Sequence, residues 1–196
     1  MNYVSALLTV VVVAGCNPEN PPSPKRPPAT ASEDNEGNTD ALPEITFRTV
    51  DRDGFDAVLA EHSGQVILVD YWATYCVPCL ERFPHLIEFA KKQAGRGLVV
   101  ITLLCEDEPR VDGARTFLQR KRSPFVHLRS AHGSGEQTFA DFKIKGGALP
   151  HYKLFDRQGK LRRTLATDEG GPVSRQEVEG WVLTLLAEKE ETQPVK

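Results

Sequence analysis

The stretch Val66-Ile67-Leu68-Val69-Asp70-Tyr71-Trp72-Ala73-Thr74-Tyr75-Cys76-Val77-Pro78-Cys79 decides how this chain is read. Its first four residues are a continuous apolar run of the kind that forms a buried strand. Beyond Cys79 the apolar residues Leu80, Phe83, Ile87, Ala90 and Ala94 recur at helical spacing. The two cysteines therefore stand where a strand gives way to a helix. A C-x-x-C pair there can close into a disulfide within one helical turn and open again. Helix N-termini stabilise anions, and a thiolate is an anion. Cys76, at the helix head, is expected to have a lowered pKa and to act as the nucleophile. Cys79, one turn in and on the buried side, is expected to be the resolving thiol.

Two plainer roles compete. A C-x-x-C can be half of a zinc site, but zinc wants two further ligands, as a second C-x-x-C or an H-x₃₋₅-H pair. The five histidines, His62, His85, His127, His132 and His151, are scattered, and Cys105 stands alone. A permanently closed structural disulfide is the other alternative.

The run from Trp72 to Cys79 resembles the W-A-x-W-C-x-P-C signature of the thioredoxin superfamily. It is most similar to the membrane-tethered TlpA/ResA branch of thiol–disulfide oxidoreductases, over roughly residues 43–190. The resemblance implies an α/β thioredoxin fold: a mixed sheet flanked by helices, βαβ joined to ββα, with an extra N-terminal strand and helix and a short βα insertion. It implies that Asp70 is the buried acid before the active site and that Pro84 is the proline within the active-site helix. It also implies that Pro150 is the cis-proline facing the cysteines. Trp72, Tyr75, Val77, Pro78 and Leu149 become expected substrate contacts. No cofactor is expected beyond the Cys76–Cys79 disulfide itself. The implied partners are protein thiols and disulfides, with a membrane thiol-transfer protein as electron donor and apocytochrome c among the substrates. Two positions depart from the pattern: Tyr75 replaces the usual second Trp, and Leu80 replaces a common basic residue.

Composition sets the outer limits. The chain has 196 residues, 40% hydrophobic and 26% charged, with a formal net charge of −3. That suits one globular domain with extensions and speaks against nucleic acid as the main partner. The basic run Gln119-Arg120-Lys121-Arg122 is expected to be a solvated helix end. At the N-terminus, Val4 to Gly15 is apolar but short for a membrane-spanning helix. It ends in Val13-Ala14-Gly15-Cys16, which resembles a bacterial lipobox, although Met1-Asn2-Tyr3 lacks the usual positive charge. Residues 1–15 are therefore expected to be a lipoprotein signal peptide and Cys16 the lipidated residue, with a plain signal anchor as the alternative. Residues 16–42, rich in proline and then acidic, are expected to be a linker. Residues 43–190 form the domain and 191–196 a tail. The expected location is the bacterial cell envelope, lipid-anchored, with the domain on the extracytoplasmic, periplasmic side.

Within the domain, Glu44 to Val50 is expected to open as a strand. A helix capped by Asp51 or Asp53 should follow, with Phe55, Val58 and Leu59 buried. The active-site helix should stop near Gly95 and Gly97. Leu98 to Leu104 should be a central strand. A helix from Pro109 to Lys121 should bury Val111, Ala114, Phe117 and Leu118. Phe125 to Leu128 should be a short strand, and Phe139 and Phe142 should mark a short helix. His151 to Phe155 and Lys160 to Leu165 should pair as a hairpin. A last helix should open on the capping box Ser174-x-x-Glu177 and turn Val178, Trp181, Val182, Leu185 and Leu186 to the sheet.

Asp70 lies in an apolar strand, where burial should raise its pKa and suit it to take a proton from Cys79. Gly146-Gly147-Ala148-Leu149-Pro150 should follow a tight path. In the resembled family a cis Leu149–Pro150 bond leaves the Leu149 backbone to pair with an extended substrate. Cys105 is expected to be a packed core thiol, and His151 a solvated histidine. Two other functional classes are weighed. A copper-binding assembly protein of the Sco type would want C-x-x-x-C and a placed histidine. A non-catalytic binding module would keep the fold without disulfide exchange.

Overall fold

The computed structural model describes residues 41–167 and 171–188. The lipobox with Cys16, the linker up to residue 40 and the tail at 191–196 lie outside the described residues. The elements in chain order are β1 (Arg48–Val50), α1 (Arg52–Glu61), β2 (Val66–Trp72), α2 (Val77–Gln93), β3 (Leu98–Leu104), α3 (Glu108–Arg120), β4 (Val126–Ser130), α4 (Glu136–Asp141), β5 (His151–Phe155), β6 (Leu161–Ala166) and α5 (Arg175–Ala187).

Six strands form one sheet in the order β1-β4-β3-β2-β5-β6. The first four are parallel to their neighbours, and β5 and β6 join antiparallel. This is the mixed sheet of a thioredoxin fold. All seven residues of β2 are buried, which is why it reads as an unbroken apolar run instead of an alternation. One face carries Val66, Leu68 and Trp72 and packs on α2, α3 and α5. The other carries Ile67, Val69 and Tyr71 and packs on α1 and the α4 region, through Phe55 and Phe142. No helix among the described residues is long and apolar enough to cross a membrane.

Local chemistry fixes the element ends. Asp51 caps α1 by accepting a hydrogen bond from the Gly54 N–H at 2.8 Å. Ser174 caps α5 by accepting one from Glu177 N–H at 3.1 Å. After α2 a single 3₁₀ turn, Ala94–Arg96, ends at Gly97, whose φ of 84° is left-handed. Gly147 answers to two demands: its φ is 66°, and a Cβ there would lie 2.8 Å from the Phe139 ring.

Some expectations shift, and Phe117, expected buried, is half-buried. The opening strand is only Arg48–Val50, because pairing with β4 begins at Arg48 and the Ile45 carbonyl is taken by the Arg115 guanidinium instead. β4 is Val126–Ser130, with Phe125 left outside the ladder and packed on Phe83. Ala94 is exposed because α2 has already ended, and Leu80 is only half-buried. Trp181 is half-buried and turned to the Arg163 guanidinium, 4.9 Å from its ring centroid.

Candidate active site

Cys76 is the N-cap of α2, and its sulfur accepts a hydrogen bond from the Cys79 N–H at 3.3 Å. Proline occupies the first turn, where a missing N–H costs nothing. Cys76 and Cys79 are joined as a disulfide, with Cα atoms 5.3 Å apart. Cys76 is 6% exposed and Cys79 only 1%. The more accessible sulfur is therefore also the one at the positive end of the helix, the arrangement a thiolate nucleophile needs. Tyr75, Val77 and Pro78 are exposed around it, whereas Leu149 is half-buried. Trp72 differs from expectation: it is fully buried against Phe83 and Phe117 at 5.1 and 5.7 Å. It packs in one buried cluster with Cys76 and Cys79 and is closed to solvent. The sheet register explains this, since Trp72 shares the inward face of β2 with Leu68 and Val66.

Beneath α2 a polar row crosses the apolar sheet. Asp70 is paired in register with Tyr152 on one side and Thr102 on the other, and Thr102 is paired with His127. Thr102 Oγ1 and His127 Nδ1 share a hydrogen bond at 2.8 Å. Burial pushes His127 down to about 4, so the ring is neutral at physiological pH. Asp70 is fully enclosed, and its Oδ1 accepts no hydrogen bond from the described residues. Burial pushes its carboxyl up to about 7, against the opposing pull of the Arg82 guanidinium. Arg82 lies one turn beyond Cys79, beside the Tyr152 hydroxyl, and donates to the Val173 carbonyl. Its pattern was visible in the sequence: Cys79, Arg82, Phe83 and Leu86 stand at i, i+3, i+4 and i+7, which places a cation inside the buried arc.

Sequence reasoning also missed Glu106. It lies two residues past the end of β3, its side chain is 0% exposed, and its carboxylate accepts from both the Thr74 N–H and the Thr74 hydroxyl at 2.6 Å each. Arg110 holds the other oxygen at 3.2 Å. Glu106 thereby ties the Thr74–Tyr75–Cys76 loop to the end of the central strand. The available signal was an acid ending an apolar run, with an arginine four residues on. Glu106→Ala leaves two half-buried Thr74 donors without their acceptor and should cost on the order of 2–3 kcal/mol. Glu106→Gln keeps an acceptor and should cost about 1 kcal/mol. Denaturant unfolding of both variants measures the difference, and equal losses would show that the Thr74 contacts do not matter.

The Leu149–Pro150 peptide is cis, and Pro150 is buried. His151 is 1% exposed, not solvated, because β5 is flanked on both sides by β2 and β6 and the ring packs edge-on to Tyr71 at 5.4 Å. Cys105 is fully buried on the sheet face opposite the cysteine pair, beside Tyr71 and Phe142, and burial pushes its thiol far up. A thiol so placed is chemically inert.

Comparison with known proteins agrees with this geometry. The family model described as Redoxin matches residues 37–179. The chain belongs to the Redoxin family. It is similar to the thiol-disulfide oxidoreductase ResA of Bacillus cereus, 24% identical over 69% of this chain and 72% of that one. It is also similar to the thiol:disulfide interchange protein HelX of Rhodobacter capsulatus, 27% identical over 63% of this chain and 62% of that one. Among solved structures it resembles a thiol:disulfide interchange protein DsbE from Chlorobium tepidum, with 25% identity and a TM-score of 0.52. That match covers 65% of this chain and 84% of the other. This Redoxin is thus a TlpA/ResA-like member of the thioredoxin superfamily, and a thiol–disulfide oxidoreductase.

Proposed function

We propose that this chain is a protein-disulfide reductase of the bacterial cell envelope. It is held by lipid on Cys16, with its domain on the extracytoplasmic side, and it works through the Cys76–Cys79 pair. The single observation that carries the chemistry is Cys76 as the N-cap of α2, with its sulfur on the Cys79 N–H and Cys79 enclosed behind it. The reaction balances within the chain. The Cys76 thiolate attacks one sulfur of a substrate disulfide, forming a mixed disulfide and releasing the other sulfur as a thiolate. Cys79, giving its proton to Asp70, then attacks the Cys76 sulfur. The second substrate thiolate leaves, the chain is oxidised to the disulfide, and the two substrate sulfurs take up protons. A membrane thiol-transfer protein returns two electrons by the same exchange in reverse. Apocytochrome c is a fitting substrate, supported by the resemblance to the TlpA/ResA branch, and the V-A-G-C run supports the anchor.

Direction is a matter of potential. A reductase should lie near the thioredoxin value of about −270 mV, and an oxidase near the DsbA value of about −120 mV. Equilibration of the full chain with glutathione and dithiothreitol buffers, read by thiol trapping, is expected to give a midpoint below about −200 mV. A midpoint near the DsbA value would overturn the reductase reading.

A further inference from the structure

Arg82 is a charged residue of α2 that the reaction as written does not use. It stands one turn beyond Cys79, so one face of the helix carries the resolving thiol and a guanidinium together. The guanidinium lies beside the Tyr152 hydroxyl, with which it lines a small cleft, and it donates to the Val173 carbonyl just ahead of α5. Its Nη1 is closed to solvent and finds no acceptor among the described residues. No carboxylate among those residues forms a direct ion pair with it. A charged donor so placed is costly unless something else uses it. Tyr152 is paired in register with Asp70, whose Oδ1 is likewise buried without a partner. We infer that Arg82 is a positioning residue for the resolving step: it is the counter-charge that lets Asp70 stand as a carboxylate when Cys79 gives up its proton.

The inference deepens the reductase reading and rests on Asp70 as the acceptor of that proton. In the resolving step the Cys79 S–H proton passes to the Asp70 carboxylate, and the Cys79 sulfur attacks the Cys76 sulfur. The bond from Cys76 to the substrate sulfur breaks, and that sulfur leaves as a thiolate and takes a proton from water. The two sulfurs of the chain are oxidised to the disulfide, and the substrate disulfide has been reduced. Only the ionised form of Asp70 can begin this step. Burial alone favours the protonated form, since a carboxylate loses its hydration there, and a fixed cation nearby opposes that.

The other titratable groups around Asp70 carry no charge at neutral pH. Tyr152 on β5 is held protonated by burial. His127 on β4, beyond Thr102, is pushed down to about 4 and is neutral. Cys105, past the end of β3, is held as the thiol. Farther out, Arg175 and Glu179 of α5 line the cleft beside Arg82 but pair with each other at 3.5 Å, and His85 lies against Arg175. The charge that acts on Asp70 is that of Arg82, and it works against burial.

The test follows Asp70 and the resolving step separately in the full chain. Carbon-13 NMR of labelled aspartate carboxyls in the oxidised protein, assigned with Asp70→Asn, gives the pH at which Asp70 titrates. Single-turnover reduction of a peptide disulfide, read as release of the second peptide thiol, gives the pH–rate profile of resolution. Arg82→Gln removes the charge and keeps an N–H donor for Val173. Both midpoints are expected to move up together by about one pH unit, the lower end of what an adjacent opposite charge supplies. Resolution at pH 7 then slows about five-fold, as Asp70 falls from about half ionised to about a tenth. Arg82→Lys restores the charge and should hold both midpoints near the wild type. An arginine needed only for packing would change stability and overall rate without moving either midpoint. Arg82→Met gives the same reading should Arg82→Gln not fold. An Asp70 midpoint unmoved in the neutral variants overturns the inference and leaves the reductase reading standing. An Asp70 midpoint that rises while the pH–rate profile stays in place removes Asp70 as the proton acceptor, and the inference with it. No reduction by the wild type at any pH overturns the reductase reading itself.

Discussion

Cys76→Ser abolishes disulfide exchange, and Cys79→Ser stops it halfway. The first loss should be total because only one sulfur is placed to begin the reaction. Cys76 caps α2 and receives the Cys79 N–H, so its thiolate is stabilised by both a hydrogen bond and the helix end. Cys79 is only 1% exposed against 6% for Cys76 and is enclosed in one cluster with Phe83 and Trp72. With serine at 76 no accessible thiolate remains, and reduction of insulin should fall to the uncatalysed rate. With serine at 79 the first attack survives but nothing resolves it. The variant should accumulate as a covalent adduct with its substrate, released by dithiothreitol and visible by mass spectrometry. Adducts formed by Cys76→Ser and absent from Cys79→Ser would reverse the roles of the two thiols.

The sequence made the backbone of this site legible because its signals are local. Capping at Asp51 and Ser174, the apolar runs of β2 and β3, and the C-x-x-C at a strand-to-helix junction each act within a few residues. What it hid depends on strands meeting across the sheet. The row Tyr152–Asp70–Thr102–His127 draws its members from four strands, and it exists only once the register is set. Glu106 reaches back 32 residues to Thr74, a distance no periodicity encodes. His151 misled for the same reason: one histidine after a proline looks solvated until β5 is seen enclosed between β2 and β6. Trp72 belonged to the signature but not to the surface, since the alternation that exposes a residue on an edge strand buries it in a central one. Arg82 was the exception. Its place in the helical arc of α2 was countable, and the apolar residues around it drew attention away from the charge.

Asp70→Asn should slow the resolving step about a hundred-fold near neutral pH, the usual scale for loss of a positioned general base. The carboxyl is pushed up to about 7 by burial, with Arg82 opposing, so it exchanges a proton in the working range. Asparagine keeps the shape and loses the proton. At high pH solvent base can take the Cys79 proton without the carboxylate, and the two proteins should converge. Stability moves the other way. Asp70 titrates near 3.8 in the unfolded chain and near 7 in the folded one. Its contribution is therefore fully present below about pH 4 and is lost as pH rises toward 7, because the unfolded state gives up a proton that the folded state retains. At about 1.4 kcal/mol per pH unit the loss amounts to a few kcal/mol. Asp70→Asn escapes it, so the variant should match the wild type near pH 4 and become progressively more stable than it up to pH 7. Single-turnover kinetics across pH 5–10 and thermal unfolding across pH 4–8 measure the two effects separately. A pH–rate profile identical to the wild type would remove Asp70 from proton transfer, and a stability difference independent of pH would mean that the carboxyl is not held protonated in the fold.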